Sequence, residues 1–147
     1  NGGIRTTPTE LARLGLLYLN RGNWDGKQVL PASFVDQATT SQVPATAPGR
    51  SRTLLSGAYG FYWWTNGVMA NGKRRWPDAP PRTYGAHGAS TNFCIVVPEW
   101  KLVIARMGKA PIPGNYAQQD QVWSAFFARL AAAIDGSSAP AKPVGEN

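Results

Sequence analysis

YGAHGASTNFCIVVPEWKLVIAR, residues 84 to 106, is the stretch on which the fold turns. Phe93 to Val97 and Leu102 to Arg106 are each about one strand long and rich in Val and Ile, with Pro98-Glu99-Trp100-Lys101 between them. That pattern predicts a β-hairpin. Just ahead of its first strand, Gly85, Gly88 and the small residues Ala86, Ala89 and Ser90 surround His87. Bare backbone N–H groups can face a ligand in such a loop, so a site is expected at the mouth of the strand.

Working outward, Met107 to Tyr116 is a Pro- and Gly-punctuated loop, and Gln118 to Ile134 reads as a helix. Val122, Phe126, Leu130 and Ile134 recur every four residues, and Trp123 and Phe127 widen the stripe, as in a helix lying on a sheet. The Gly-, Ser-, Pro- and Ala-rich end has little to bury, so 136–147 is expected to be a disordered tail behind one domain over 1–135.

Upstream, Thr7-Pro8-Thr9-Glu10 is a capping box with Pro at the first helical position. Leu11, Leu14, Leu17 and Tyr18 then predict the buried stripe of a first helix, which Asn20-Arg21-Gly22 ends. Asn23 to Gly26 reads as a turn, Gln28 to Leu30 as extended, Pro31 to Asp36 as the start of a second helix, and Thr39 to Arg52 as a surface loop. Tyr59 to Trp64, aromatic and flanked by glycines, predicts a strand whose rings serve packing in preference to a sugar platform. Asn66-Gly67 and Asn71-Gly72 read as turns. The order implies an α+β fold, an antiparallel sheet flanked by helices and covered on one face.

Composition sets limits on function. The chain has 147 residues, 43% of them hydrophobic, with 16 Gly and 12 Pro, which suits one loop-rich core. No run approaches the roughly 18 apolar residues of a membrane span, and no signal-peptide pattern opens the chain. Localisation is therefore not legible. The net charge of +7 raises polyanionic partners. Its clusters, Lys73-Arg74-Arg75 and the Arg50 and Arg52 pair, stand without any nucleic-acid module signature, so nucleic acid is disfavoured. The lone Cys94, inside an apolar run, is expected to be a buried thiol. One His and one Cys exclude a metal centre of several imidazoles or thiolates, and no cofactor motif is present. Asp25, Asp36, Asp78 and Asp120 stand in unrelated contexts and suggest no glycosidase pair.

A hydrolase needs a nucleophile, a base and oxyanion donors. Ser-x-x-Lys, which sets a lysine amine one helical turn from a serine hydroxyl, occurs at none of the serines. Tyr18-Leu19-Asn20 spells Tyr-x-Asn, but within an amphipathic helix whose apolar face uses Tyr18.

Asn1 to Gly22 contains Gly2-Gly3, Thr9-Glu10-Leu11-Ala12 and Leu19-Asn20-Arg21-Gly22, and is followed by Gly26-Lys27 and Leu30-Pro31. With Gly88-Ala89-Ser90-Thr91-Asn92, Val97-Pro98-Glu99, Pro111-Ile112-Pro113 and the closing helix, this series resembles the serine β-lactamase-related hydrolases. That family includes class C β-lactamases, DD-peptidases, lactamase-fold esterases and amide hydrolases of aminohexanoate oligomers. The resemblance implies the C-terminal portion of a β-lactamase/transpeptidase-like fold. The family's serine, lysine and tyrosine motifs lie ahead of the Gly-Gly segment, so the chain is expected to lack the nucleophile-bearing half and to be inactive alone. The missing half would be its partner. Self-association through uncovered helix stripes is also expected.

The family's Lys/His-Thr/Ser-Gly motif falls on Ala86-His87-Gly88 when the glycines are matched, which makes the N–H of Ala89 an oxyanion donor. His87 then stands at the hydroxyl position, or at the basic position in a register shifted by one. It could orient a substrate carbonyl, assist proton transfer or brace the loop. Gly88, Ser90 and Asn115 are the expected substrate-lining positions. The family's anion-binding groups would fall on Ile112, Asn115 and Ala86, none of them basic, which favours a small ester or neutral amide over a β-lactam. The alternative is a non-catalytic binding module with a basic face for cell-wall or other polyanions.

Overall fold

A computed structural model describes residues 3–47, 56–108 and 116–135. Helix α1 spans Pro8–Leu19, β1 Asn23–Trp24, β2 Lys27–Gln28, α2 Ala32–Ala38, β3 Trp64–Thr65, β4 Tyr84–Gly88, β5 Asn92–Val97, β6 Leu102–Arg106 and α3 Tyr116–Ile134. Strands β1 and β2 form a small hairpin, and the other four form an antiparallel sheet in the order β3-β4-β5-β6. The expected hairpin is β5–β6, in register from Val97 opposite Leu102 to Phe93 opposite Arg106. Pro98–Trp100 winds as one 3-10 turn, and Lys101 closes it in the left-handed region at φ 51°.

The sheet is covered on both faces, not on one. Successive strand side chains point to opposite sides, and in β5 both sides find partners. Phe93, Ile95 and Val97 join Trp76, Ala79, Trp123 and Phe127 beneath α3. Cys94 and Val96 face α1, and Val96 packs with Ala38, Trp63 and Tyr84. A strand buried twice has no use for polar alternation, which explains the uninterrupted run from Phe93 to Val97.

Helix α1 starts as its capping box predicts, with Glu10 N–H donating to the Thr7 hydroxyl and Thr7 N–H to the Glu10 carboxylate at 2.8 Å. Of the expected stripe, Leu11, Leu17 and Tyr18 are half-buried, and only Leu14 departs from it. Gly15 is the buried residue, while Leu14 and Leu16 are exposed. A Cβ at Gly15 would stand 2.5 Å from Val103 Cγ1 and 2.8 Å from Cys94 Sγ, so the missing side chain is what lets the helix backbone rest on the sheet. The Cys94 thiol reaches the Leu11 carbonyl at 3.4 Å.

The face of α3 is rotated from expectation. Trp123 and Phe127 are buried, whereas Val122, Phe126 and Ile134 of the four-residue repeat are exposed. Tyr59 to Trp64 is not a strand. Tyr59 bridges Trp64, Gly60 N–H donates to the Trp63 carbonyl at 2.8 Å, and Tyr62 takes φ 62°, so the run doubles back on itself. The Asn71-Gly72 turn forms as expected, with Met69 N–H donating to the Lys73 carbonyl at 2.9 Å. Asn66, by contrast, is a buried bracket. Its Nδ2 donates to the carbonyls of Trp76, Ala79 and Pro80, and its Oδ1 accepts from Trp76 N–H. The expected tail and the Arg50 and Arg52 pair lie outside the described residues.

Gly15→Ala should therefore lower stability by about 1–3 kcal/mol despite the better helix propensity of alanine. Urea denaturation would measure this, and Val103→Ala in the same chain should recover part of the loss.

Candidate functional site

The site is built at the far end of β4. Strand β3 pairs only with Tyr84 and Gly85, so Ala86 to Gly88 run past the end of that neighbour while staying paired with β5 on the other side. His87 is opposite Phe93 across the ladder, and the two rings stack with centroids 4.0 Å apart at 24°. Phe93 in turn meets Trp123 of α3 edge-on at 4.8 Å. His87 is thereby placed on the α3 face of the sheet, and the opposite alternation puts Ala86 with the α1-side cluster.

Beside these rings lies a buried cation. The Arg75 guanidinium stands 4.1 Å from the centroid of Trp64 and 4.9 Å from that of Trp76. Asp120 of α3 holds it by three contacts of 3.1 Å and also accepts from the Trp76 indole N–H. Breaking such a pair strands a buried charge at a cost of about 3–5 kcal/mol, so the clip fixes α3 against the sheet. Burial, and then the charge of Arg75, pull the His87 pKa below its usual value, against a smaller opposing effect of Asp120. His87 is thus a neutral imidazole at pH 7, unlike a motif lysine.

The loop beyond Gly88 carries backbone strain. Gly88 is extended at φ −108° and ψ 173°, and then Ser90 and Thr91 both take φ 57°. Left-handed conformations cost a non-glycine residue about 1–2 kcal/mol each, so the loop needs bracing. Arg106 Nη1 donates to the Thr91 carbonyl at 2.6 Å and to its hydroxyl at 2.7 Å. Asn92 Nδ2 donates to the Ala89 carbonyl at 2.9 Å, and Asn92 Oδ1 accepts from Gly108 N–H at 2.9 Å. Gly88, Ala89 and Ser90 are exposed on the loop so formed.

The structure thus brings together His87, Gly88, Ala89 and Ser90. Asn115, with Ile112 and the Pro111–Pro113 segment, lies outside the described residues. Asn92, Arg106, Arg75 and Asp120 are additions that the sequence reading missed; the placement of Arg106 opposite Phe93 in the hairpin register was the available signal for one of them. Burial pushes the Cys94 thiol up to about 11, so it stays protonated and is no nucleophile. The basic run is divided: Arg75 is buried on Asp120, and Arg74 donates to the Asn66 carbonyl at 2.8 Å. Among the described residues there is no cluster of potential metal ligands, and no helix is long and apolar enough to cross a membrane.

A solved protein from Bacillus anthracis, provisionally named a 6-aminohexanoate-dimer hydrolase, matches with a TM-score of 0.63 at 23% identity. The likeness is one of fold. It covers 90% of this chain and 30% of that one, so this chain spans about 30% of the length of its structural counterpart. The described architecture is accordingly that of a portion of a β-lactamase-like fold. No family profile matches the chain, and no curated protein matches it.

The single histidine makes the electrostatics directly measurable. The His87 ring proton should titrate by NMR below 6.5, and Asp120→Asn, by removing the opposing charge, should move the midpoint lower still. Because the folded state holds its proton less tightly than the unfolded chain, stability should fall as pH drops below about 6.5, and His87→Gln should flatten that slope.

Proposed function

We propose that this chain is the C-terminal portion of a serine hydrolase domain of the β-lactamase-related family, acting on an ester or neutral amide through an acyl-enzyme. The observation that carries the reading is the fold likeness, which takes in nearly all of this chain but under a third of its counterpart. It agrees with a chain that has no Ser-x-x-Lys. The nucleophile, its lysine and the tyrosine motif would come from the remaining part of the domain, as a separate polypeptide or as sequence joined to this one.

In this reading the loop after β4 forms one wall of the acyl-transfer site. The Ala89 N–H is the second oxyanion donor, which asks only for a backbone group aimed at the developing charge. Gly88 and Ser90 line the substrate, and neutral His87 orients its carbonyl or passes a proton. The braced, left-handed loop supports this assignment, since strain held by surrounding contacts is a habit of functional backbone. Asn115 is assigned a substrate-lining role by the resemblance alone. The rival polyanion-binding module loses ground because the basic run Lys73 to Arg75 is not one exposed patch.

Fluorophosphonate labelling with denaturing intact-mass readout tests the proposal. An adduct on the complementary polypeptide or segment, and none on this chain's own serines, is expected; an adduct on one of those serines would overturn it. In the labelled, active assembly, Ala89→Pro should cut kcat about 100- to 1000-fold. The extended Gly88 backbone already suits a following proline, so the fold should survive the substitution. Ala89→Ser, which keeps the N–H, should leave kcat within about threefold.

A further inference from the structure

A groove of about 990 Å3 opens on the α1 side of the sheet, at the end of β4 remote from the His87 loop. Tyr18, Leu19, Val35 and Tyr84 supply its apolar surface. Its polar lining is unbalanced. Arg21, Arg74, Arg82 and Lys101 face one carboxylate, Asp36. Arg21 is paired with Asp36, and Arg82 with Glu99 at 3.4 Å. Arg74 and Lys101 have no carboxylate partner among the described residues.

Arg74 is also held in place. Its Nη1 donates to the Asn66 carbonyl at 2.8 Å, and Asn66 is immobilised by its own buried hydrogen bonds to Trp76, Ala79 and Pro80. An arginine anchored by one nitrogen presents the rest of its fork with little further loss of freedom. A second observation points the same way. Thr65 and Thr83 line the groove, and the hydroxyl of each is buried without a hydrogen-bond partner. A buried hydroxyl without a partner calls for one, which a bound water, an ion or a small shift of the groove wall toward a ligand supplies.

We propose that this groove binds a small organic anion, its apolar body on Tyr18 and Tyr84 and its carboxylate or phosphate on Arg74, with Lys101 adding to the attracting field. The proposal is independent of the hydrolase reading, because the groove shares no residue with the His87 to Ser90 loop.

Amide NMR of the full chain at low salt, titrated with phenyl phosphate, benzoate and benzyl alcohol, tests it. Both anions should shift resonances of residues 18–21, 65–67, 74 and 83–84 and leave those of residues 87–91 in place. Benzyl alcohol should bind at least about tenfold more weakly. A preference for phenyl phosphate over benzoate would indicate a phosphorylated ligand, and parity a carboxylate. Arg74→Gln should weaken phenyl phosphate about tenfold. Since Arg74 also braces Asn66, Lys101→Gln, at an exposed position with a smaller expected loss of about threefold, serves as the variant that spares the fold. Equal affinity for the alcohol, shifts scattered over the surface cations, or affinity unchanged by Lys101→Gln would overturn the proposal.

Discussion

Burial of β5 on both faces is the constraint on which the rest depends. Phe93, Ile95 and Val97 require α3 on one side, and Cys94 and Val96 require α1 on the other. Each such side chain contributes about 2 kcal/mol when removed from water. The two helices meet this demand differently. Helix α1 comes close through the bare backbone at Gly15, whereas α3 stands off on the large rings of Trp123 and Phe127 and is clipped by Asp120 to Arg75. A small-residue contact on one face and an aromatic, ion-paired contact on the other hold one central strand in a single position.

That fixed strand positions the loop after β4. Because β4 pairs with β5 through Gly88, the chain leaves the sheet at a defined point, and Arg106 of β6 reaches across to hold the turn that follows. The left-handed Ser90 and Thr91 are therefore sustained by the hairpin, not by their own preferences. His87 is in the same situation. Its stacking on Phe93 and its neutrality both follow from the α3 side of the core. The candidate chemistry at this loop is a consequence of how the core is packed behind it.

The two ends of β4 carry different surroundings. At Gly88 the backbone is exposed and strained beside an aromatic wall; at Tyr84 an apolar groove is ringed by cations. Exposed apolar residues on the outer sides of both helices, Leu14 and Leu16 on α1 and Val122 and Phe126 on α3, are the surfaces that a larger domain would cover in the proposed reading.

Local chemistry was legible in the sequence wherever it acts within a few residues. The Thr7 capping box, the β5–β6 hairpin around Pro98 and the Asn71-Gly72 turn follow from short-range steric and hydrogen-bonding rules, whereas the small-residue stretch around His87, read as a loop, is strand β4 as far as Gly88 because β5 pairs with it. The helical stripes were legible only as to existence. Counting leucines predicted Leu14 inward and counting every fourth residue predicted Val122 and Phe126 inward, but which side is buried is set by what the opposing sheet can admit. At α1 that was a glycine, which no hydrophobicity pattern marks. The aromatic run at Tyr59 looked like a strand because its residues favour strands; the contact of Phe61 N–H with the Ala38 carbonyl and the turn at Tyr62 depend on a segment some twenty residues away. Sequence alone was enough for the three helices, the β5–β6 hairpin and the Asn71-Gly72 turn, since those are short-range properties. Only the tertiary structure decided the two-sided burial of β5, the Arg75–Asp120 clip and the bracing of Ser90 and Thr91, since each joins residues that are remote in the chain or takes its backbone geometry from such contacts.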